Sequence, residues 1–138
     1  MLAEAETAIQ QAGFGNRIHL KQARLQELTL AHDDYSIIIC NAMLHHLHDP
    51  QVLWSLIKTA TGQPAVFVMD LMRPDSDEQV DALVETYAKD EPDILKRDFR
   101  NSLKAAFTPE EVRLQLQQAG LEGYKISVVS DRHLVVSN

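Results

Sequence analysis

The stretch Leu44-His45-His46-Leu47-His48-Asp49 gathers three imidazoles and a carboxylate in one short turn. Imidazole changes charge near neutral pH, so one of these rings could take a proton from a bound molecule. Metal binding is the other chemistry histidines offer. It needs several ligands converging on one point, and adjacent side chains in a turn usually diverge, so the cluster predicts no metal site. Two readings of His45 and His46 stay open: a ring lines a ligand cleft, or the loop packs against the next helix. Just upstream, Asn41 follows the apolar run Ile37-Ile38-Ile39-Cys40. An Asn there either faces a ligand or satisfies turn backbone. Asp70 with Arg73 follows another apolar segment, and a turn role is the first reading. Asp131-Arg132-His133 reads as turn and surface electrostatics. Cys40 reads as a buried hydrophobe and not a nucleophile. Tyr87, Phe99 and Phe107 read as core or lid packing.

The elements that must position these residues follow from periodicity. Leu2, Ala5, Ile9 and Ala12 step by three or four, which predicts a helix over 1–12 that stops at Gly13. Ile18 and Leu20 predict a short strand at Arg17–Gln22. Tyr35–Cys40 is a stronger strand, and its run of three isoleucines with no polar face predicts a parallel strand covered on both sides. Asp49 and Pro50 open a helix as cap and first residue, with Val52, Leu53, Leu56, Ile57 and Ala60 as its buried face. Ala65–Met69 is the next strand, so strand, helix and strand form a right-handed βαβ unit. Ser76 and Gln79 make a capping-box pattern before Val80, Leu83, Val84 and Tyr87. A further helix covers Ile94–Leu103. Thr108-Pro109-Glu110-Glu111 starts a helix with Val112, Leu114, Leu116 and Ala119, closed by Gly120. Tyr124–Val129 and His133–Val136 are joined too tightly to be anything but an antiparallel pair.

Composition bounds the function. The 138 residues suit a single domain over 1–138, with 45% apolar and 24% charged content. A net charge of −7 without a Lys/Arg cluster argues against nucleic acid or an anionic membrane as partner. The single Cys40 excludes an internal disulfide and fits a reducing, cytoplasmic setting. No apolar run is long enough to span a bilayer.

Two segments carry a resemblance. The first is Asp34-Tyr35-Ser36-Ile37-Ile38-Ile39-Cys40-Asn41-Ala42-Met43-Leu44-His45-His46-Leu47-His48-Asp49-Pro50, and the second is Phe107-Thr108-Pro109-Glu110-Glu111-Val112, running on to Ala119-Gly120-Leu121. They resemble the fourth strand with its following turn, and the helix before the terminal hairpin, of class I S-adenosylmethionine-dependent methyltransferases. Met1-Leu2-Ala3 is similar to the middle of that family's second helix. The resemblance implies an α/β, three-layer Rossmann-like methyltransferase fold, N-terminally truncated, with a mostly parallel sheet ending in an antiparallel hairpin. It implies S-adenosylmethionine as cofactor, with Ala23, Arg24, Asn41, Ala42, His45 and His46 at the cofactor positions. Residues 71–107 would be a helical insertion capping the acceptor site, and the acceptor a small molecule. The catalytic residues are not implied.

The chain also departs from the family's pattern. Gly13-Phe14-Gly15 is the one closely spaced glycine pair, but it follows a helix where a cofactor loop would precede one. The strand whose acid holds the ribose is missing, and Arg24 stands where an Asp usually meets the adenine amine, to which an Arg can only offer donors. The expectation is a chain of methyltransferase descent that is inactive alone, because an N-terminal third lies outside it. The alternatives are a noncatalytic remnant working by association, or an unrelated metal- or nucleotide-binding α/β module. In the intact strand order, 3-2-1-4-5-7-6, strands one and two lie between the third and fourth. Their loss leaves Tyr35–Cys40 with a bare edge, which predicts a homo-oligomer through that edge, strand exchange, or Arg17–Gln22 moving into the gap.

Overall fold

The computed structural model describes residues 2–30 and 35–138. Helix α1 (Leu2–Gln11) and a 3-10 turn (Leu25–Glu27) precede strand β1 (Ile37–Asn41). A second 3-10 turn (Leu44–His46) leads to α2 (Gln51–Lys58) and β2 (Ala65–Leu71). Then come α3 (Asp77–Ala88), α4 (Asp93–Ala105), α5 (Pro109–Ala119), β3 (Lys125–Val128) and β4 (His133–Ser137). Met1 and Asp34, each part of the resemblance, lie outside the described residues.

The four strands make one sheet in the order β1-β2-β4-β3. β1 and β2 are parallel, with Ile39 opposite Phe67, and β4 runs antiparallel to both β2 and β3. The α/β class, the βαβ unit and the closing hairpin are therefore as expected. The period of two divides each strand between faces. Cys40, Val66, Val68, Leu134 and Val136 point to one face, where they meet Leu53, Trp54 and Ile57 of α2 and Val112, Leu116 and Ala119 of α5. Trp54 is fully buried, and its indole N–H donates to Gln115 Oε1 at 3.0 Å across the two helices.

The local signals at α5 are met in full. Thr108 Oγ1 accepts from Glu111 N, Glu111 Oε2 accepts from Thr108 N, and Gly120 ends the helix at φ 69°. At that φ a Cβ is strained, and it would also lie 2.8 Å from Lys58 Nζ. At α3, Ser76 Oγ accepts from Gln79 N as expected, but the Gln79 side chain accepts from Asp75 N, one residue earlier. Asp49 Oδ1 accepts from Gln51 N at 2.9 Å and so caps α2.

Two expectations fail. Arg17–Gln22 is not a strand: among the described residues it joins no sheet, Arg17 and Ile18 donate back to Phe14 O, and Ile18 and Leu20 are exposed. Extended backbone gains little without a partner to take its hydrogen bonds. β1 is not covered on both sides, since Ile37 and Ile39 are 59% and 70% exposed. It lies at the sheet's edge, with helices packed on only one of its faces. On α5, Leu114 points to solvent and Gln115 lies on the buried side. The reason is geometric: residues 112, 115, 116 and 119 share one helical face, and 114 does not.

On the other face, α3 and α4 bury Val80, Leu83, Val84, Ala88 and Leu103 together with Leu71 at the end of β2. Arg100 and Lys104 of α4 pair with Asp81 and Asp77 of α3. These pairs are largely exposed, so packing carries the contact between the two helices.

The Trp54–Gln115 bond gives a test. Gln115→Ala should cost about 1–3 kcal/mol in urea unfolding, because it leaves a buried N–H unpaired. Combining Trp54→Phe with Gln115→Leu should recover part of that loss, since no buried donor then remains.

Candidate functional site

β1 and β2 run parallel, so their carboxyl ends lie side by side. Ligands of open α/β sheets bind at such ends. The turn after β1 begins with Ala42 at φ 51°, left-handed backbone that costs a non-glycine residue about 1–3 kcal/mol. Ala42 N donates to Met69 O at 2.9 Å, which ties the strained residue to β2. The turn then drops Leu44 and His45 inward, where both are buried, and leaves His46 outside. The two imidazoles lie 3.9 Å apart at 42°, so they face different surroundings.

Asp70 organises this site. It is 2% exposed and accepts three hydrogen bonds. His45 Nδ1 lies 2.5 Å from Oδ1, Leu44 N donates to Oδ2 at 2.6 Å, and Leu71 N donates to Oδ1 at 2.7 Å. A carboxylate can only accept, so Nδ1 carries the proton in neutral His45. Nε2 is then the bare acceptor. Among the described residues no hydrogen bond reaches Nε2, and with the His45 side chain only 5% exposed the atom has at most a narrow opening to solvent. A histidine oriented by a buried carboxylate, with its other nitrogen open at a strand end, is an arrangement suited to taking a proton.

The surroundings set the remaining electrostatics. Burial, and then the Asp70 charge, push the Cys40 thiol up to about 11. It stays protonated at neutral pH and is no nucleophile. Burial and the Arg132 guanidinium hold His133 below the usual histidine range. The unfolded chain then binds this proton more readily, so His133 costs stability as pH falls below 6.5. Its Nδ1 lies 2.9 Å from Ser130 Oγ. Arg132 stacks 3.4 Å over Tyr87, whose hydroxyl donates to Asp131, so the 131–133 turn is clamped to α3. Arg73 serves the fold: it donates to Ala106 O and to Glu111 Oε1, binding the start of the 71–107 segment to its end. Burial opposes ionisation of Glu111, but the bonds from Thr108 and Arg73 outweigh it and hold its carboxyl below the usual range.

Of the sequence-derived positions, Asn41, Ala42, His45 and His46 are brought together at the end of β1. Ala23 and Arg24 are exposed ahead of the first 3-10 turn. Leu25, the next residue, shares an apolar hollow of about 280 Å³ with Leu30, Ile38, Asn41 and Met43. Among the described residues no three His, Cys, Asp or Glu side chains converge as metal ligands. None of the described helices is long and apolar enough to cross a membrane. The residue that sequence reasoning undervalued is Asp70. Its signal was present: Val66, Val68 and Asp70 alternate, which puts a carboxylate on the buried face of an apolar strand.

A profile described as "Methyltransferase domain" matches residues 1–69, half of the chain. The chain belongs to the methyltransferase domain family. Solved structures share the fold at low identity. A SAM-dependent methyltransferase from Aquifex aeolicus superposes with a TM-score of 0.62 at 15% identity, over 96% of this chain and 60% of that one. PigF with SAH gives 0.64 at 16%, over 99% and 40%. An O-methyltransferase family 2 protein from Planctomyces limnophilus, in complex with apigenin, gives 0.62 at 18%, over 99% and 39%. This methyltransferase-domain chain thus spans roughly two-fifths to three-fifths of the length of these relatives. No match was found among curated proteins.

The described residues do not fit the whole of S-adenosylmethionine. A Cβ on Gly15 would meet the end of the Gln10 side chain at 2.6 Å, so the space at this glycine is taken up by α1. Gly13, at φ 76°, ends α1. Neither glycine lines a hollow with Asn41 or His45.

The Cys40 environment gives a second test. In the native protein the thiol should be inert to thiol-exchange reagents at neutral pH, and one thiol per chain should titrate after unfolding in guanidinium chloride. Rapid native labelling would contradict the burial described above.

Proposed function

We propose that this chain serves S-adenosylmethionine-dependent methyl transfer to a small-molecule acceptor, and that the 138 residues alone do not catalyse it. The observation that carries the reading is the buried His45–Asp70 pair at the ends of two parallel strands, with Nε2 open. In this reading His45 is the proton acceptor for a hydroxyl, thiol or amine on the acceptor. Asp70 holds the ring in the Nδ1–H tautomer and stabilises the imidazolium that forms. Asn41 and Ala42 belong to the same ligand-facing turn. The α3–α4 segment lies against the 44–46 turn and acts as a cap over the acceptor. Proton removal needs only these residues. A glycine cradle and an acid for the donor's ribose are not among the described residues, which is why the chain alone is read as inactive. SAH in PigF and apigenin in the Planctomyces limnophilus protein support the donor class and a small acceptor.

A second reading, an association module without catalysis, is favoured by one observation: the sheet face bearing Ile37 and Ile39 is left open. It keeps the fold and assigns His45 and Asp70 a structural role.

Two measurements test the proposal. Calorimetry of the chain with S-adenosylhomocysteine should show no binding up to millimolar ligand, and micromolar binding would overturn the inactivity. Nitrogen-15 NMR of His45 should show a protonated Nδ1 and a bare Nε2 in the neutral ring, with Asp70→Asn altering the tautomer. A neutral ring protonated at Nε2 would remove the proton-acceptor role.

A further inference from the structure

We infer that α3 and α4 form a hinged lid, and that the 131–133 turn latches it shut through Tyr87. Hinge, lid and latch all lie within residues 71–133. The lid leaves and rejoins the body at one place. Met72 and Phe107 form a parallel bridge, and Arg73 N donates to Phe107 O at 3.2 Å. The Arg73 guanidinium donates to Ala106 O at 3.2 Å and to Glu111 Oε1. Two crossing segments riveted side by side make a hinge, because residues at the ends of elements absorb the change in backbone angles.

The lid carries its own core. Val80, Leu83, Val84 and Ala88 of α3 pack with Phe99 and Leu103 of α4, and the sheet adds Leu71. The main core, around Trp54, is a separate cluster built on α2, α5 and the strands. A swing about the hinge therefore leaves the main core closed and parts the lid from the sheet at Leu71. Because α4 rests against the 44–46 turn, the same swing uncovers that turn. What is admitted there rests on the function proposed above; the motion itself does not.

The latch sits at the far end of the lid. Asp77 begins α3 and Tyr87 lies in its last turn, about 15 Å further along the axis. The Tyr87 hydroxyl donates to Asp131 Oδ2 at 2.7 Å. The Arg132 guanidinium lies 3.4 Å from the centre of the same ring and donates to Asp131 Oδ1 at 2.9 Å. Carboxylate, cation and ring thus hold one another. The Tyr87 bond is the first cause holding the Asp131 carboxyl below its usual range, and it raises the tyrosine hydroxyl in return. The seat of the latch belongs to the sheet: Met72 N donates to Arg132 O at 2.8 Å, and His133 pairs with Leu71. Tyr87 is exposed. A polar contact open to water can part and re-form while water takes over its hydrogen bonds, and mobile segments are held by contacts of low stability.

Spin-label distances in the 138-residue chain test the latch. In a Cys40→Ala background, Asp90→Cys labels the link between α3 and α4, and Glu122→Cys labels the body after α5. Tyr87→Phe then removes the hydroxyl and keeps the ring under Arg132. It should raise the population at a second, longer distance roughly three- to tenfold, as the loss of one hydrogen bond implies. Arg132→Gln, which removes the stack and the pair with Asp131, should raise the same population. Labels at Glu85→Cys and Arg97→Cys, both on the lid, should keep one distance throughout, because the lid moves as a body. Circular dichroism verifies that each variant folds. A distribution between 90 and 122 that neither variant alters overturns the latch. Broadening between 85 and 97 in either variant overturns the rigid lid and points to local unfolding. Methyl transfer has no part in these readouts, so an inactive chain with a working latch counts against the proposed function alone.

Discussion

The Asp70 carboxylate is the constraint on which the site depends. A buried charge is tolerated only when hydrogen bonds replace its water, and here three donors do so: His45 Nδ1, Leu44 N and Leu71 N. Hydrogen bonds to a charged group contribute about 1.5–3 kcal/mol each. Two of the three donors come from the turn after β1, so one carboxylate on β2 fixes a loop that would otherwise float at the sheet's end. The strain at Ala42 is held by the same arrangement, because the turn is anchored on both sides of it. Orientation of His45 and its inward placement are therefore one event, not two.

Around this point the molecule is lopsided. The α2–α5 face is a closed layer with a buried Trp54 at its centre and matched caps on α5. The opposite face is covered only near the carboxyl ends, where α3 and α4 close over Leu71. The covered part coincides with the His45 turn, and the open part with the edge strand. A methyltransferase-domain chain spanning roughly two-fifths to three-fifths of its structural relatives would present this asymmetry. The layer that gives the site its rigidity is complete, and the layer beside β1 is not.

The sequence was most legible where signals are local. The Thr108–Glu111 box, the Gly120 stop, the Asp49 cap and the tight β3–β4 connection depend on residues a few positions apart, and each reads directly. It was least legible where a partner decides the outcome. Ile18 and Leu20 alternate as a strand should, yet Ile18 N donates back to Phe14 O and, among the described residues, the segment joins no sheet. On α5 the buried side holds Gln115, a polar residue, because its side-chain oxygen meets the Trp54 N–H, a contact with a helix distant in sequence.

The amino-acid sequence by itself determined the order of elements, their caps, the βαβ unit and the turn carrying His45. These follow from periods of two and 3.6 residues and from side chains that bond their own neighbours. Only the tertiary structure decided that Asp70 and His45 meet, and that the isoleucine run is an edge. Both are contacts between segments distant in sequence. Alternation shows which residues share a face, but not what lies opposite that face or beside that strand.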